Sequence, residues 1–320
     1  MASLKETKGR IASVKSTLKI TSAMKMVASA KLHKAQNAIE NMTPYERKLR
    51  EMLELLLASV KASEVGISPQ KTSCSAGPLP SDDGPLPLTM PRVARFSEAS
   101  ANLPSACSVA IVAFASNSSL CGGFNGNVIR EVKARIAALK ADGCRVEVIS
   151  VGKKVADAMK KAGYPSAEDW NDLVGHTSYA GADALAKKLQ KAFYEGRYER
   201  IELIYNHFVS TATQRVVTET YLPAGIDAPA ESGRKWPEDV IIEPSAQEML
   251  EDLLPRVRSL RIYTVVLDSV ASEHAARTVA MQTATDNGEN ILQELTLEYN
   301  QGRQQKITSE ILDLVGGSMQ

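Results

Sequence analysis

The chain has 320 residues, 44% of them apolar, and a formal net charge of +1. That is enough for one or two domains around a sizeable core, and the near-neutral charge argues against a general nucleic-acid binder. No run approaches the roughly 20 apolar residues of a membrane span, and no secretory cleavage pattern follows the basic start.

The first segment reads as a long helix. Up to Ile39 it carries eight Lys or Arg against one acid, Glu6. From Ile11, alternating steps of three and four residues reach Val14, Leu18, Thr21, Lys25, Ala28, Leu32, Ala35, Ile39, Met42, Glu46, Leu49, Leu53, Leu56 and Val60. A sustained 3.5-residue step marks a coiled-coil seam rather than a surface helix. Pro44 lies inside the run and is expected either to kink the helix or to restart it with Thr43 as N-cap and Pro44 in the first turn. Between Ser63 and Pro104 periodicity stops and half of the prolines collect, so this stretch reads as an insertion without secondary structure.

An α/β block follows. "SVAIVAFAS" suits a buried strand, then comes the glycine turn "SLCGGFNGN" and the helical "VIREVKARIAALKADG". "RVEVISVG" reads as a strand, "KKVADAMKKAG" and "GADALAKKLQKAFYEG" as helices, and "RIELIYNHFVS" and "QRVVTETYLP" as neighbouring strands. This alternation predicts a mostly parallel sheet covered on its faces. A last helix is expected from about Met249 to Val315, with Pro255 marking a bend or a two-part start. Its small residues Ala271, Ser272, Ala275, Ala276, Ala280, Ala284, Thr285 and Gly288 match Ala23, Ala28, Ser29, Ala30 and Ala35 of the first helix. The two ends are therefore expected to pair antiparallel through Ile11, Leu18, Leu32, Leu292 and Leu295. The fold class is α/β with long helices, a terminal coiled coil carrying an inserted Rossmann-like domain. The expected division is 1–62 and 245–320 for the coil, 63–104 for the insertion and 105–244 for the α/β domain.

The residues offer little catalytic chemistry. The Cys121–Gly126 turn could cradle a phosphate, but Cys121 stands where a dinucleotide fingerprint needs its first glycine, and no Gly-Lys-Ser/Thr is present. Glu147, at the spacing of a ribose carboxylate, falls inside a strand. A nucleotide-binding oxidoreductase is kept as the alternative reading. His33, His176, His207 and His274 lack helical ligand spacing, and His33 and His274 read as helix-surface positions; no metal and no cofactor are expected. Ser272, Glu273 and His274 are consecutive on a helix and cannot form a triad. Cys74, Cys107, Cys121 and Cys144 show no CxxC spacing and read as scattered thiols. A membrane-surface role for the basic helix is weakened by the alanines through the middle of its seam.

Three stretches together resemble one family, the gamma subunit of F-type ATP synthase. "GRIASVKSTLKITSAMKMVASAKLHKAQ" resembles its first helix, "SLCGGFN" its glycine turn and "ASEHAARTVAMQTATDNGENILQELTLEYNQGRQQKITSEILDLVGG" its last helix. The resemblance spans both ends and the centre. One departure is the turn's approach, where Ser116–Ser119 reads "SNSS" and the family commonly carries Ser-Asp-Arg-Gly.

The resemblance implies a rotor shaft without catalytic residues of its own. Its partners would be the alpha and beta subunits, whose hexamer bore holds the coil, together with epsilon and the membrane c-ring. Proton flow through that ring would be coupled to ATP synthesis and hydrolysis. The resemblance also implies beta contacts at Met24 and Lys25 low on the shaft, and at Arg303, Gln304, Thr308 and Glu310 near an upper catch loop. The start directly at the basic helix favours a bacterial protein, peripheral on the cytoplasmic side of the inner membrane.

Overall fold

The structure is a computed structural model that describes residues 4–59, 107–223, 243 and 245–318. The proline-rich stretch 63–104, Cys74 and the seam position Val60 lie outside the described residues. The order of elements is α1 (Leu4–Ser59), β1 (Ser108–Phe114), α2 (Phe124–Ala141), β2 (Arg145–Val151) and α3 (Lys153–Lys161). Then come α4 (Asn171–Gly175), α5 (Tyr179–Tyr194), β3 (Arg200–Phe208), β4 (Gln214–Leu222) and α6 (Ala246–Ser318).

The helices α1 and α6 hold 56 and 73 residues, which at 1.5 Å each span about 84 and 110 Å. They run antiparallel. A Cβ added to Gly302 would meet Leu4 at 3.2 Å, one at Gly288 would meet Leu18 at 2.7 Å, and Thr285 donates to Thr21 at 3.1 Å. Further along, Arg261 reaches Glu46 at 3.6 Å. The expected seam is the one the fold buries: every described seam position from Ile11 to Leu56 is buried or half-buried, and most positions between them are exposed. Leu32 and Leu295 are buried, while Ile11, Leu18 and Leu292 are half-buried.

The small-residue matching holds only in part. Ala28 and Ala35 face α6, and Leu32 and Ala35 pack with Ala271 and Ala275. Ala23, Ser29 and Ala30 point to solvent because they lie off the 3.5-residue step. Gly288, another of the expected small residues, receives Leu18 rather than a small partner.

Both helices continue through their prolines. Thr43 is helical rather than an N-cap: its hydroxyl donates to the Ile39 carbonyl at 2.8 Å, one turn back. Nor does α6 start in two parts. Ser245 caps it by accepting from the Glu248 N–H at 3.2 Å, the Ser-x-x-Glu spacing of a capping box.

The sheet has the order β2-β1-β3-β4. The β1 strand is parallel to β2 and β3, and β4 pairs antiparallel with β3 as the outer strand. Alternation splits β1 between two cores. Ala110, Val112 and Phe114 meet Leu185 and Leu189 of α5 and Ile262, Val265 and Val266 of α6. Val109, Ile111 and Ala113 meet Val128, Val132 and Ile136 of α2 and Val155 and Met159 of α3. Thus α6 is at once half of the coil and a covering helix of the sheet. Glu202, buried in β3, is held by both arms of Arg135 from α2 at 2.6 and 2.7 Å.

Candidate functional site

The glycine turn is closed by its own side chains. Asn125 accepts from the Ser116 N–H at 3.1 Å and donates to the Ser116 hydroxyl at 2.8 Å, the Ser118 carbonyl at 3.3 Å and Cys121 Sγ at 3.1 Å. Its amide therefore occupies the inside of the turn, where a phosphate would need free N–H groups. Leu120 and Gly122 both take positive φ, 68° and 57°, to make the reversal. Glu147 is engaged by Arg197 at 2.9 Å. The turn docks on α6 instead: a Cβ on Gly122 would lie 3.7 Å from Ala280, and Arg277 donates to the Ser118 hydroxyl at 2.6 Å. Ser118 is one of the positions that depart from the family pattern, so here a neutral hydroxyl accepts from that cation.

Arg277 also pairs with Glu273 one turn back at 2.7 Å, with both side chains nearly covered. Burial pushes the Glu273 carboxyl up from its usual value, and Arg277 opposes that shift. His274 is half-buried rather than a surface position. Burial, helped by the cations Arg277 and Lys31, lowers it to about 4, so it is neutral near pH 7. Its Nδ1 lies 3.4 Å from Arg277 Nη1, which donates to it. Ser272 donates elsewhere, to the Asn206 carbonyl at 3.0 Å, so the three consecutive residues do not converge.

A second polar cluster ties four elements together. Arg261 of α6 forms a two-armed pair with Glu219 of β4, donates to Tyr205 of β3 at 3.2 Å and approaches Glu46 of α1 at 3.6 Å. Burial opposes the Arg261 charge, but Glu219 outweighs it and the guanidinium is held more firmly protonated than usual. Burial likewise pushes the Tyr205 hydroxyl up to about 12. Two residues further along the helix from Val266, Asp268 accepts from the Phe208 N–H at 2.8 Å and meets His207 Nδ1 at 2.5 Å. Sequence reading missed this junction. Its partners on β3 and β4 are 42 to 66 residues from their α6 side chains, Glu46 on α1 is further off still, and nothing periodic announces them.

Met24 is exposed on α1, whereas Lys25 is half-buried on the seam, turned towards α6. These neighbours therefore do not share a face. Arg303, Gln304, Thr308 and Glu310 all lie on the part of α6 beyond Gly302, where every described side chain is exposed. Thr308 donates to the Gln304 carbonyl at 2.9 Å, and Lys306 stands 3.8 Å from Glu310. This single helix also exposes Ile307, Ile311, Leu312, Leu314 and Val315.

A family model described as ATP synthase matches residues 3–319. The ATP synthase gamma chain of Phocaeicola vulgatus is 47% identical over the whole of both chains, and that of Bacteroides thetaiotaomicron is 45% identical, again over the whole of both. This chain belongs to the ATP synthase gamma chain family. The fold agrees. The rotor of Euglena gracilis mitochondrial ATP synthase aligns with a TM-score of 0.59 at 18% identity, covering 95% of this chain and 98% of that one. A central stalk/c-ring chain of the Tetrahymena thermophila enzyme aligns at 0.52 and 21% identity, covering 83% and 99%. As a gamma chain, the protein is a non-catalytic rotor subunit, and the oxidoreductase reading of the glycine turn is not supported. It is a peripheral subunit, and among the described residues no helix is long and apolar enough to cross a membrane.

Proposed function

We propose that this gamma chain turns as one piece, with the α/β domain as a foot on a c-ring and epsilon, and the coil standing in an alpha–beta hexamer. The observation that carries this reading is the contrast along α6: sewn to β3 and β4 at one end, and with every described side chain beyond Gly302 exposed at the other. A helix bound so firmly to a sheet transmits torque, and an uncovered tip needs an enclosing partner. The working division is the one the residues suggest: coil arms 1–62 and 245–320, insertion 63–104, and foot 105–244.

In this reading ring rotation drives the three catalytic sites through their states in turn. One charge crossing 100 mV supplies about 2.3 kcal/mol, so several protons are pooled for each ATP, and a stiff shaft does the pooling. Arg303 offers beta carboxylates a planar fork of donors, with Gln304, Thr308 and Glu310 on the same uncovered segment. Met24 presents an adaptable, uncharged side chain to the lower beta surface. Lys25 acts beside it from the seam. The bacterial relatives support a place on the cytoplasmic side of the inner membrane.

Purification from membranes tests the reading. The chain is expected to elute with alpha and beta subunits and ATPase activity, and its depletion is expected to abolish ATP-driven proton pumping. Elution alone, with pumping unchanged on depletion, would contradict it.

A further inference from the structure

Two of the cysteines that look scattered in the sequence meet in the fold. The parallel ladder of β1 and β2 begins at Ser108 opposite Arg145. One residue earlier on each strand stand Cys107 and Cys144. The Arg145 N–H donates to the Cys107 carbonyl at 2.6 Å, so the ladder extends to this pair. Both side chains pack on the same core, the one that holds Val109 and Val148, so they lie on the same side of the sheet. Neighbouring strands are about 4.8 Å apart, inside the Cα separation of roughly 4.4–6.8 Å that a disulfide bridges. Both thiols are free and half-exposed, within reach of a small reagent.

We propose that Cys107 and Cys144 form a reversible thiol–disulfide site that staples the entry of β1 to the entry of β2 in the foot of the rotor. The oxidant is a low-molecular-weight disulfide. The Cys144 thiolate attacks one of its sulfurs, forming a mixed disulfide and releasing one small thiolate. Cys107 then attacks the Cys144 sulfur, the Cys107 proton passes to the adjoining Glu199 carboxylate, and the second small thiolate leaves. Two protein thiols and one small disulfide become one protein disulfide and two small thiols.

The order of attack follows from the surroundings. Burial pushes the Cys107 thiol up to about 12, and the neighbouring Cys144 and Glu199 add to the shift. Cys107 is therefore the poorer first nucleophile of the two. Cys121 is the internal contrast: it is 1% exposed and enclosed by the Asn125 amide, so a reagent does not reach it. The bond would close a loop containing β1, the glycine turn and α2, which is the unit that docks Ser118 against Arg277. Closing a loop of that length restrains the unfolded chain and stabilises the folded one.

The test uses the full-length chain, reduced and then incubated with oxidised glutathione near pH 7.5. Peptide mapping without reductant is expected to find a Cys107–Cys144 linkage, removed by dithiothreitol, with a rise in Tm of roughly 5 °C. Cys107→Ser is expected to accumulate a glutathione adduct on Cys144, whereas Cys144→Ser leaves Cys107 unmodified. The proposal is overturned if Cys107 or Cys144 pairs with Cys74 instead, or if both stay reduced while the urea-unfolded chain oxidises. An adduct on Cys107 in the Cys144→Ser variant would overturn the order of attack.

Discussion

Two stretches of the same helix live under opposite conditions. Between Arg258 and Met281, α6 is packed against the sheet on one side and α1 on the other, and its polar groups are taken by Asn206, Phe208, Glu219 and Ser118. From Arg303 to Val315 every described side chain is exposed, five of them bulky and apolar. The residue types differ less than the neighbours do. Burial makes the first stretch a fixture of the fold, where a substitution is felt as stability. Exposure leaves the second free of the fold, and in the proposed reading a substitution there is felt only in the assembly.

The sharpest way to break this comparison is to place the same bulk at both ends. Ala271 is fully buried against Leu32. Ala271→Leu is expected to cost about 3 kcal/mol, measured by urea unfolding, because an overpacked core must shift its backbone. Ser309→Leu on the bare segment should stay within about 0.5 kcal/mol of the parent. Equal effects at the two positions would erase the distinction.

Next in size is the clamp. Arg261→Met removes the partner of Glu219 and a donor to Tyr205, and is expected to cost about 2 kcal/mol. That figure is discounted from a fully buried pair because Arg261 and Glu219 keep roughly a third of their side-chain surface in water. Arg261→Lys should recover less than half, since an ammonium cannot make the two-armed contact. Full recovery by lysine would reduce the cluster to simple charge.

The junction should also respond to acid where the tip does not. His274 has a folded value of about 4, below the unfolded 6.5. The unfolded chain therefore takes the proton first. The stabilising contribution is complete above 6.5 and is lost as pH falls towards 4, on the order of 2 kcal/mol after allowance for solvent. Glu273, shifted up, works in the opposite sense and offsets part of it. His274→Gln should flatten stability across that window, measured as Tm against pH; an unchanged slope would remove His274 as its source. The smallest effect is expected at Ile311→Ser, which should leave the unfolding midpoint of the isolated chain unaltered.

The coil was legible because a 3.5-residue repeat is a local rule that burial obeys at every step. The strands of the sheet were legible for the same reason. Lys25 shows the limit of such reading: its place on the seam was readable, yet family position alone would set it beside Met24 on one face. The cap at Ser245 was written in Ser-x-x-Glu spacing just ahead of the expected start at Met249. Arg261, Asp268 and Ser272 were not readable, because their partners are fixed by how α6 lies across β3 and β4, a property of topology. The meeting of Cys107 with Cys144 likewise depends on strand register, which spacing in sequence does not encode.

In the proposed rotor the exposed shaft surface slides past its partners while the junction holds. The most direct measurement is the ratio of ATP-driven proton pumping to ATP hydrolysis in the assembled complex carrying Met24→Lys. With Met24 at the lower beta surface as proposed, the new cation adds a charge-assisted hydrogen bond of roughly 1.5–3 kcal/mol to a beta carboxylate at one rotary angle, which deepens one dwell and wastes transmitted energy. A lower ratio with normal assembly is expected, with partial recovery when the beta carboxylate facing residue 24 is neutralised. Normal pumping per ATP, or a loss explained wholly by failed assembly, would contradict it.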